Sequence, residues 1–226
     1  MGELIKLKAA DGHEFDAYVA GTEKTPQAGL VVLQEAFGVN AHIRRVTDAY
    51  ARDGFLAVAP ALFDRYERGV ELGYEGADRE KAMSFAKGID PGDAMKDVAA
   101  TLEYLRAQKA GKCGVIGYCM GGSVAWLAAT RLDANAAVGY YGGSISRFAH
   151  EKLRCPVMLH FGTLDKHIPK SAVDEVQKLH PNVQIFWYEV GHGFNSDDRG
   201  SYNPAAAKLA RERSVEFLRK WLVVNG

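Results

Sequence analysis

Four side chains in this sequence are of the types that make and break acyl bonds: Glu35, Cys119, Asp165 and His192. Cys119 sits in Gly117-Tyr118-Cys119-Met120-Gly121-Gly122, between an apolar run, Cys113–Tyr118, and a mostly small, apolar stretch, Ser123–Ala129. A strand that turns into a helix through Gly-x-Cys-x-Gly is a nucleophile elbow with sulfur in place of oxygen. Glycines suit it because the turn is tight and side chains there would strike the neighbouring strand and helix. The start of the helix aims free N–H groups at the sulfur and favours negative charge on it. The chemistry is attack by a thiolate on an acyl carbon, with a histidine as base and a carboxylate to orient it. Each residue alone has a plainer explanation. Gly-x-Cys-x-Gly also occurs in ordinary glycine-rich turns, Asp165 suits a turn in Leu164-Asp165-Lys166, and His192 fits a simple loop between two glycines.

Placing these residues together requires elements that end where they stand. Asp11-Gly12 between Glu3–Lys8 and Glu14–Ala20 predicts a hairpin, and Thr22–Gln27 reads as a polar loop. Leu30–Leu33 and Phe55–Ala59 are continuous apolar strands of the kind buried on both faces of a parallel sheet. Asn40 caps a helix over His42–Arg52, and Gly54 stops it. Pro60–Gly76 is long, irregular and rich in charge and glycine, a scale that points to function or a lid. Helices follow over Ala77–Lys87 and, started by Asp90-Pro91, to Gln108. Beyond the elbow come a strand Ala136–Tyr141, a strand Val157–Gly162, a helix Ser171–Leu179, a strand Val183–Glu189 and an amphipathic helix Ala205–Leu222.

Strands alternating with helices predict an α/β fold with a mostly parallel sheet and helices on both faces, in one domain spanning residues 1–226. Ligands in such sheets bind beyond the carboxyl ends of the strands. Glu35, Cys119, Asp165 and His192 each follow a different strand there. Nucleophile, acid and histidine, in that order, is the α/β-hydrolase order. The joint pattern outweighs the plain explanations of its members.

Composition removes other classes. Lys+Arg 28 against Asp+Glu 28 leaves no basic footprint for nucleic acid or anionic membrane. The sequence carries neither an apolar run of membrane-spanning length nor a signal-peptide core at its start. Cys113, Cys119 and Cys155 have no Cys-x-x-Cys spacing, which argues against a zinc site or a disulfide framework. The expected compartment is the reducing cytoplasm.

The chain resembles the dienelactone hydrolase family of the α/β-hydrolase superfamily. The likeness rests on Gln34-Glu35-Ala36-Phe37-Gly38-Val39-Asn40, Gly117–Gly122, the Phe161–Pro169 segment and Gly191-His192-Gly193-Phe194. It implies a small cytoplasmic hydrolase that opens lactones such as 4-carboxymethylenebut-2-en-4-olide (dienelactone) in the degradation of aromatic compounds. The expected protein is a monomer or weak homodimer with no cofactor and no metal. By position the likeness assigns Cys119 as nucleophile, His192 as base, Asp165 as its orienter, and the N–H groups of Ala36 and Met120 as oxyanion hole. It makes Glu35 the carboxylate that contacts the cysteine before substrate binds, where like charge would keep the thiol neutral. The competing expectation is that Glu35 pairs with Arg44 or Arg45. Arg79 resembles an arginine that binds the substrate carboxylate. Two positions depart from the dienelactone-active pattern: Met83 replaces a tyrosine, and Ser196 replaces a second carboxylate-binding arginine. Arg199 substitutes for it if its loop folds back.

The other singled-out residues read as structural. His160 belongs to a strand core, His180 to a helix end, and His167 to a loop, while His13 and His42 are remote in sequence. Trp126 and Trp221 read as core, and Cys113 and Cys155 as small buried hydrophobes. A class I glutaminase would want His-x-Glu near the end, where this chain has His192-Gly193-Phe194. A non-catalytic receptor of this fold would have lost part of the triad, and a redox sensor would want a resolving cysteine. Hydrolysis of an ester, lactone or thioester leads.

Overall fold

The computed structural model describes residues 2–21 and 26–223, so the polar loop expected over Thr22–Gln27 falls mainly outside the described residues. The apolar runs pack as strands buried on both faces: every residue of β3 (Ala28–Leu33), β5 (Cys113–Tyr118), β6 (Ala137–Tyr140) and β7 (Val157–Gly162) is buried. With β1 (Glu3–Lys8), β2 (Glu14–Ala20), β4 (Phe55–Pro60) and β8 (Gln184–Tyr188) they form one sheet in the order β1-β2-β4-β3-β5-β6-β7-β8. The hairpin β1–β2 and the pair β2–β4 are antiparallel; the remaining pairs are parallel.

The helices are α1 (Ala41–Arg52), α2 (Gly76–Gly88), α3 (Pro91–Ala107), α4 (Met120–Arg131), α5 (Lys170–Leu179) and α6 (Pro204–Leu222). Their faces follow from strand alternation. A Cβ on Gly29 would touch Leu105 of α3, and one on Gly117 would touch the backbone of α4. A Cβ on Gly114, one residue out of phase, would touch Leu222 of α6, and Tyr118 in the same phase meets Tyr50 of α1 through their hydroxyls, 3.2 Å apart. Thus α3 and α4 cover one face and α1 and α6 the other, as the α/β-hydrolase reading requires. Asn40, Asp90 and Asn203 cap α1, α3 and α6 by accepting a backbone N–H in the first turn.

Two sequence expectations change, and the long irregular stretch gains definition. β6 stops at Tyr140, because Tyr141 has φ 38°, outside the β region, although its N–H still reaches the His160 carbonyl at 2.8 Å. The irregular stretch after β4 is pinned by hydrogen bonds. It contains a short 3₁₀ turn, Leu62–Arg65, whose Asp64 carboxylate accepts from Asp16 N–H (2.8 Å) and Gly69 N–H (3.2 Å), and Leu72 N–H bonds the Phe37 carbonyl. Trp126 is core and donates to the Phe148 carbonyl, but Trp221 is 37% exposed at the end of α6, with Lys220 over its ring. Among the described residues no helix is long and apolar enough to cross a membrane.

Candidate active site

Cys119 joins β5 to α4 with φ 54° and ψ −116°, a backbone that non-glycine residues rarely adopt and that costs on the order of 1–3 kcal/mol. The elbow is held by Cys119 N–H on the Tyr140 carbonyl (3.0 Å) and Gly121 N–H on the Gln34 carbonyl (3.1 Å). A Cβ on Gly121 would overlap that carbonyl, so only glycine lets α4 approach the end of β3. The contact brings the end of β3, and with it the Glu35-Ala36 turn, to the elbow. Gln34 fixes this turn, accepting from Leu62 N–H at 3.0 Å and donating to the Glu35 carbonyl at 3.3 Å.

The loops after β7 and β8 deliver the other two residues. Leu164 N–H on the Val190 carbonyl (3.0 Å) and Thr163 N–H on the Tyr188 carbonyl (2.8 Å) tie them together. His192 Nδ1 donates to Asp165 Oδ2 at 2.7 Å, and His192 Nε2 lies 3.1 Å from Cys119 Sγ. Because a carboxylate only accepts, Nδ1 carries the proton and Nε2 faces the sulfur. The Asp165 side chain is almost fully buried, and its Oδ1 accepts the His167 N–H at 2.8 Å. Burial opposes charging of His192, but the hydrogen bonds to Asp165 and to the sulfur outweigh it and raise its pKa to about 10. Burial likewise opposes the Asp165 carboxylate, yet the bond from His192 outweighs it and holds Asp165 below its ordinary value.

Glu35 is buried, but it makes no hydrogen bond to Cys119; the sulfur is taken by His192. Glu35 Oε1 accepts from the Tyr141 hydroxyl at 3.3 Å and lies 3.5 Å from Arg199 Nη1. The alternative partners are engaged elsewhere, Arg44 by Glu71 and Arg45 by Asp197 and Asp198. The expected pairing of Glu35 with Arg44 or Arg45 is therefore corrected: the arginine it meets is Arg199. The reason is the segment 193–199, whose distant contact the sequence does not reveal. Ser196 N–H bonds the Gly193 carbonyl and Arg199 N–H the Ser196 carbonyl, both at 3.1 Å, so the segment coils back on the site. Gly193 has φ 77°, and a Cβ there would overlap the Arg199 guanidinium. That guanidinium lies 5.7 Å from the Phe37 ring centre and 5.8 Å from that of Tyr74. The coil is anchored to α1 by His42 Nδ1 on Asp197 (2.9 Å) and by Arg45 on Asp197 and Asp198 (2.8 Å each). His42 thus serves the site despite its distance in sequence, while Ser196 is fully buried behind it.

Cys119, His192, Ala36, Met120, Arg79, Met83 and Arg199 line one cavity of about 460 Å³. Met120 opens α4, where the N–H has no partner within the helix. Arg147, Lys87 and His167 also line it, and sequence reasoning missed or dismissed all three; the only available signal was their nearness to strand ends or to the α2 segment. His167 stands edge-on to His192, ring centres 5.6 Å apart. Tyr141, also missed, packs 5.0 Å from the His192 ring. His160, His180 and His13 are structural as expected. His160 is fully buried between the Tyr188 hydroxyl (2.9 Å) and Ser214 Oγ (3.0 Å), and His180 Nε2 donates to the Ala149 carbonyl at 2.6 Å. His13 stacks on Phe15. Cys113 and Cys155 are free thiols whose pKa values burial raises, that of Cys155 to about 12.

A mostly parallel sheet with helices on both faces and a strained residue at the turn from strand to helix is the architecture of an α/β-hydrolase. The model of the dienelactone hydrolase family matches residues 15–222. The carboxymethylenebutenolidase of Pseudomonas putida is 34% identical over 225 residues, covering 96% of this chain and 95% of the relative. Carboxymethylenebutenolidase 1 of Cupriavidus pinatubonensis is 30% identical over 227 residues, covering 96% and 97%. Among solved structures, a dienelactone hydrolase-like promiscuous phosphotriesterase from metagenomic libraries superposes with a TM-score of 0.80 at 20% identity, covering 98% of this chain and 99% of that one. The chain belongs to the dienelactone hydrolase family and is a hydrolase of ester or lactone bonds.

Proposed function

We propose that this protein opens a lactone or ester carrying a carboxylate, dienelactone or a close relative of it, through Cys119, His192 and Asp165 in a single α/β-hydrolase domain. The observation that carries the reading is the unbroken series from Asp165 through His192 to the sulfur at the elbow, 2.7 Å and 3.1 Å, facing the cavity. His192 takes the thiol proton, and the sulfur attacks the acyl carbon. The N–H groups of Ala36 and Met120 receive the oxyanion. As the tetrahedral intermediate collapses, the C–O bond breaks and His192 returns the proton to the leaving oxygen, leaving a thioester. Water, deprotonated by His192, then attacks the thioester, and the carboxylic acid departs as the thiol re-forms.

Arg79 and Arg199 hold the substrate carboxylate, each through charge-assisted hydrogen bonds. The position of Arg199 in the cavity lining supports its standing in for the arginine that Ser196 replaces. Glu35 fixes Arg199 from behind in the state without substrate, and Cys119 is already engaged with His192. A nucleophilic thiol that must stay free fits the reducing cytoplasm. An esterase or thioesterase for another anionic acyl compound is the second reading, favoured by Met83 in the cavity wall where dienelactone-active members have tyrosine. The test is turnover of dienelactone, neutral aryl esters and acyl thioesters by wild type and Cys119→Ser. The expected result is hydrolysis of acidic lactones with Cys119→Ser reduced by at least about 10²-fold, because the hydroxyl is much harder to deprotonate than the thiol. Wild-type rates in Cys119→Ser would refute sulfur as the nucleophile.

A further inference from the structure

Much of the cavity wall beside the sulfur is apolar, an apolar trench built from Ile89 and Ala94 at the α2–α3 corner, Val124 and Leu127 of α4, and Phe148 and Ile168. The cavity volume, about 460 Å³, falls in the range of sites for drug-sized ligands.

Charge around this trench has one sign. Arg79, Lys87, Arg147 and Arg199 line the cavity, and no Asp or Glu does. Arg199 has Glu35 behind it. Lys87, in the last turn of α2, and Arg147, in the short 3₁₀ turn Ile145–Phe148, come from separate elements that line the cavity, and among the described residues neither has a carboxylate partner. Several arginines elsewhere are taken up by carboxylates, Arg65 by Asp11 and Asp97, Arg131 by Glu151 and Arg211 by Asp53, whereas no carboxylate lines this cavity. Cations without acidic partners around a concave apolar wall focus anions into it, and a guanidinium presents a fork that matches a carboxylate.

We propose that the substrate has an apolar arm that lies along this trench and ends in a second carboxylate, held between Lys87 and Arg147. The preferred substrates are therefore esters or lactones with two anionic ends, one at Arg79 and Arg199 and one at Lys87 and Arg147. The proposal rests on the hydrolase reading of the same site.

Two measurements test it. In the first, linear dicarboxylates from succinate to sebacate and monocarboxylates of equal length are titrated calorimetrically into wild type and Lys87→Ala/Arg147→Ala. At the chain length that spans the trench, the dicarboxylate binds about tenfold more tightly than the monocarboxylate, the low end for a hydrogen bond to a charged group. The double variant loses that preference and keeps its affinity for the monocarboxylate. In the second, kcat/KM is compared for esters ending in carboxylate or methyl, on the acyl side in one series and on the alcohol side in the other. At least one series favours the carboxylate end by about tenfold, and the double variant removes the preference without changing turnover of phenyl acetate. Equal binding of the two acid series at every length, or a preference that survives the double variant, overturns the proposal. A complete lack of ester turnover that depends on Cys119 would instead overturn the hydrolase reading, while the titration still decides this one.

Discussion

Arg199→Ala should destabilise the protein through a residue it does not replace. Glu35 is 1% exposed, and its neighbours within bonding reach are the Tyr141 hydroxyl and, at 3.5 Å, the Arg199 guanidinium. Two unit charges at that separation attract by about 5 kcal/mol at an effective dielectric of 20. Arg199 is itself 21% exposed, so water weakens the pair, and the Tyr141 bond survives the substitution. Stranding a buried carboxylate costs about 3–5 kcal/mol in well-buried pairs. Here the expected loss is about 2–4 kcal/mol, including the contacts of the guanidinium with Phe37 and Tyr74, each about 0.5–1 kcal/mol. In a domain of this size that lowers Tm by about 5–15 °C.

The decisive measurement is a double-mutant cycle by urea unfolding. If the stranded charge is the cause, Glu35→Gln added to Arg199→Ala should restore at least about 1 kcal/mol, because an amide tolerates the site without a cation. Losses that simply add, within about 0.5 kcal/mol, would refute the argument. They would mean that Arg199 acts through packing alone. Activity gives an independent reading. Arg199→Ala should raise KM for acidic lactones about tenfold or more while leaving kcat/KM for neutral aryl esters near the wild-type value.

The hydrogen-bonded series carries two further expectations. Asp165→Asn and His192→Ala should each lower kcat by about 10³-fold or more, and the double variant should fall little further, since the members act as a unit; multiplying losses in steady-state assays would break the series apart. Stability should respond to pH with a defined sign. The folded-state pKa of His192 is raised from 6.5 to about 10, so its stabilisation is complete below about pH 6.5 and is lost as pH rises through 10. Asp165 is lowered from 3.8, so its contribution is present above that value and fades as pH falls through the lowered one. Urea unfolding should therefore find His192→Ala more costly at pH 6 than at pH 10.5, and a penalty independent of pH would count against the charged pairing.

What the sequence could convey depended on how local each cause was. β3, β5 and β7 were legible because parallel strands buried on both faces must be continuously apolar, and Asp90-Pro91 because capping is settled within one turn. The order of Cys119, Asp165 and His192 was legible because each follows its own strand, and the sheet order then brings the strand ends together. The pairing of Glu35 with Arg199 was not, although Arg199 was named as the substitute for Ser196 should its loop fold back. Counting from His192 gives Ser196 as the position facing the cavity, and a straight chain would agree. Instead, successive turns from Gly193 to Ser196 and from Ser196 to Arg199 coil the segment, bury Ser196 and return Arg199 over Gly193. The coil needs φ 77° at Gly193 and needs Asp197 and Asp198 facing His42 and Arg45, about 150 residues earlier in the chain. No local pattern encodes that pairing. The same coil decides where the buried carboxylate finds its cation, so the charge arrangement of the site is set by α1 as much as by the loops that carry it.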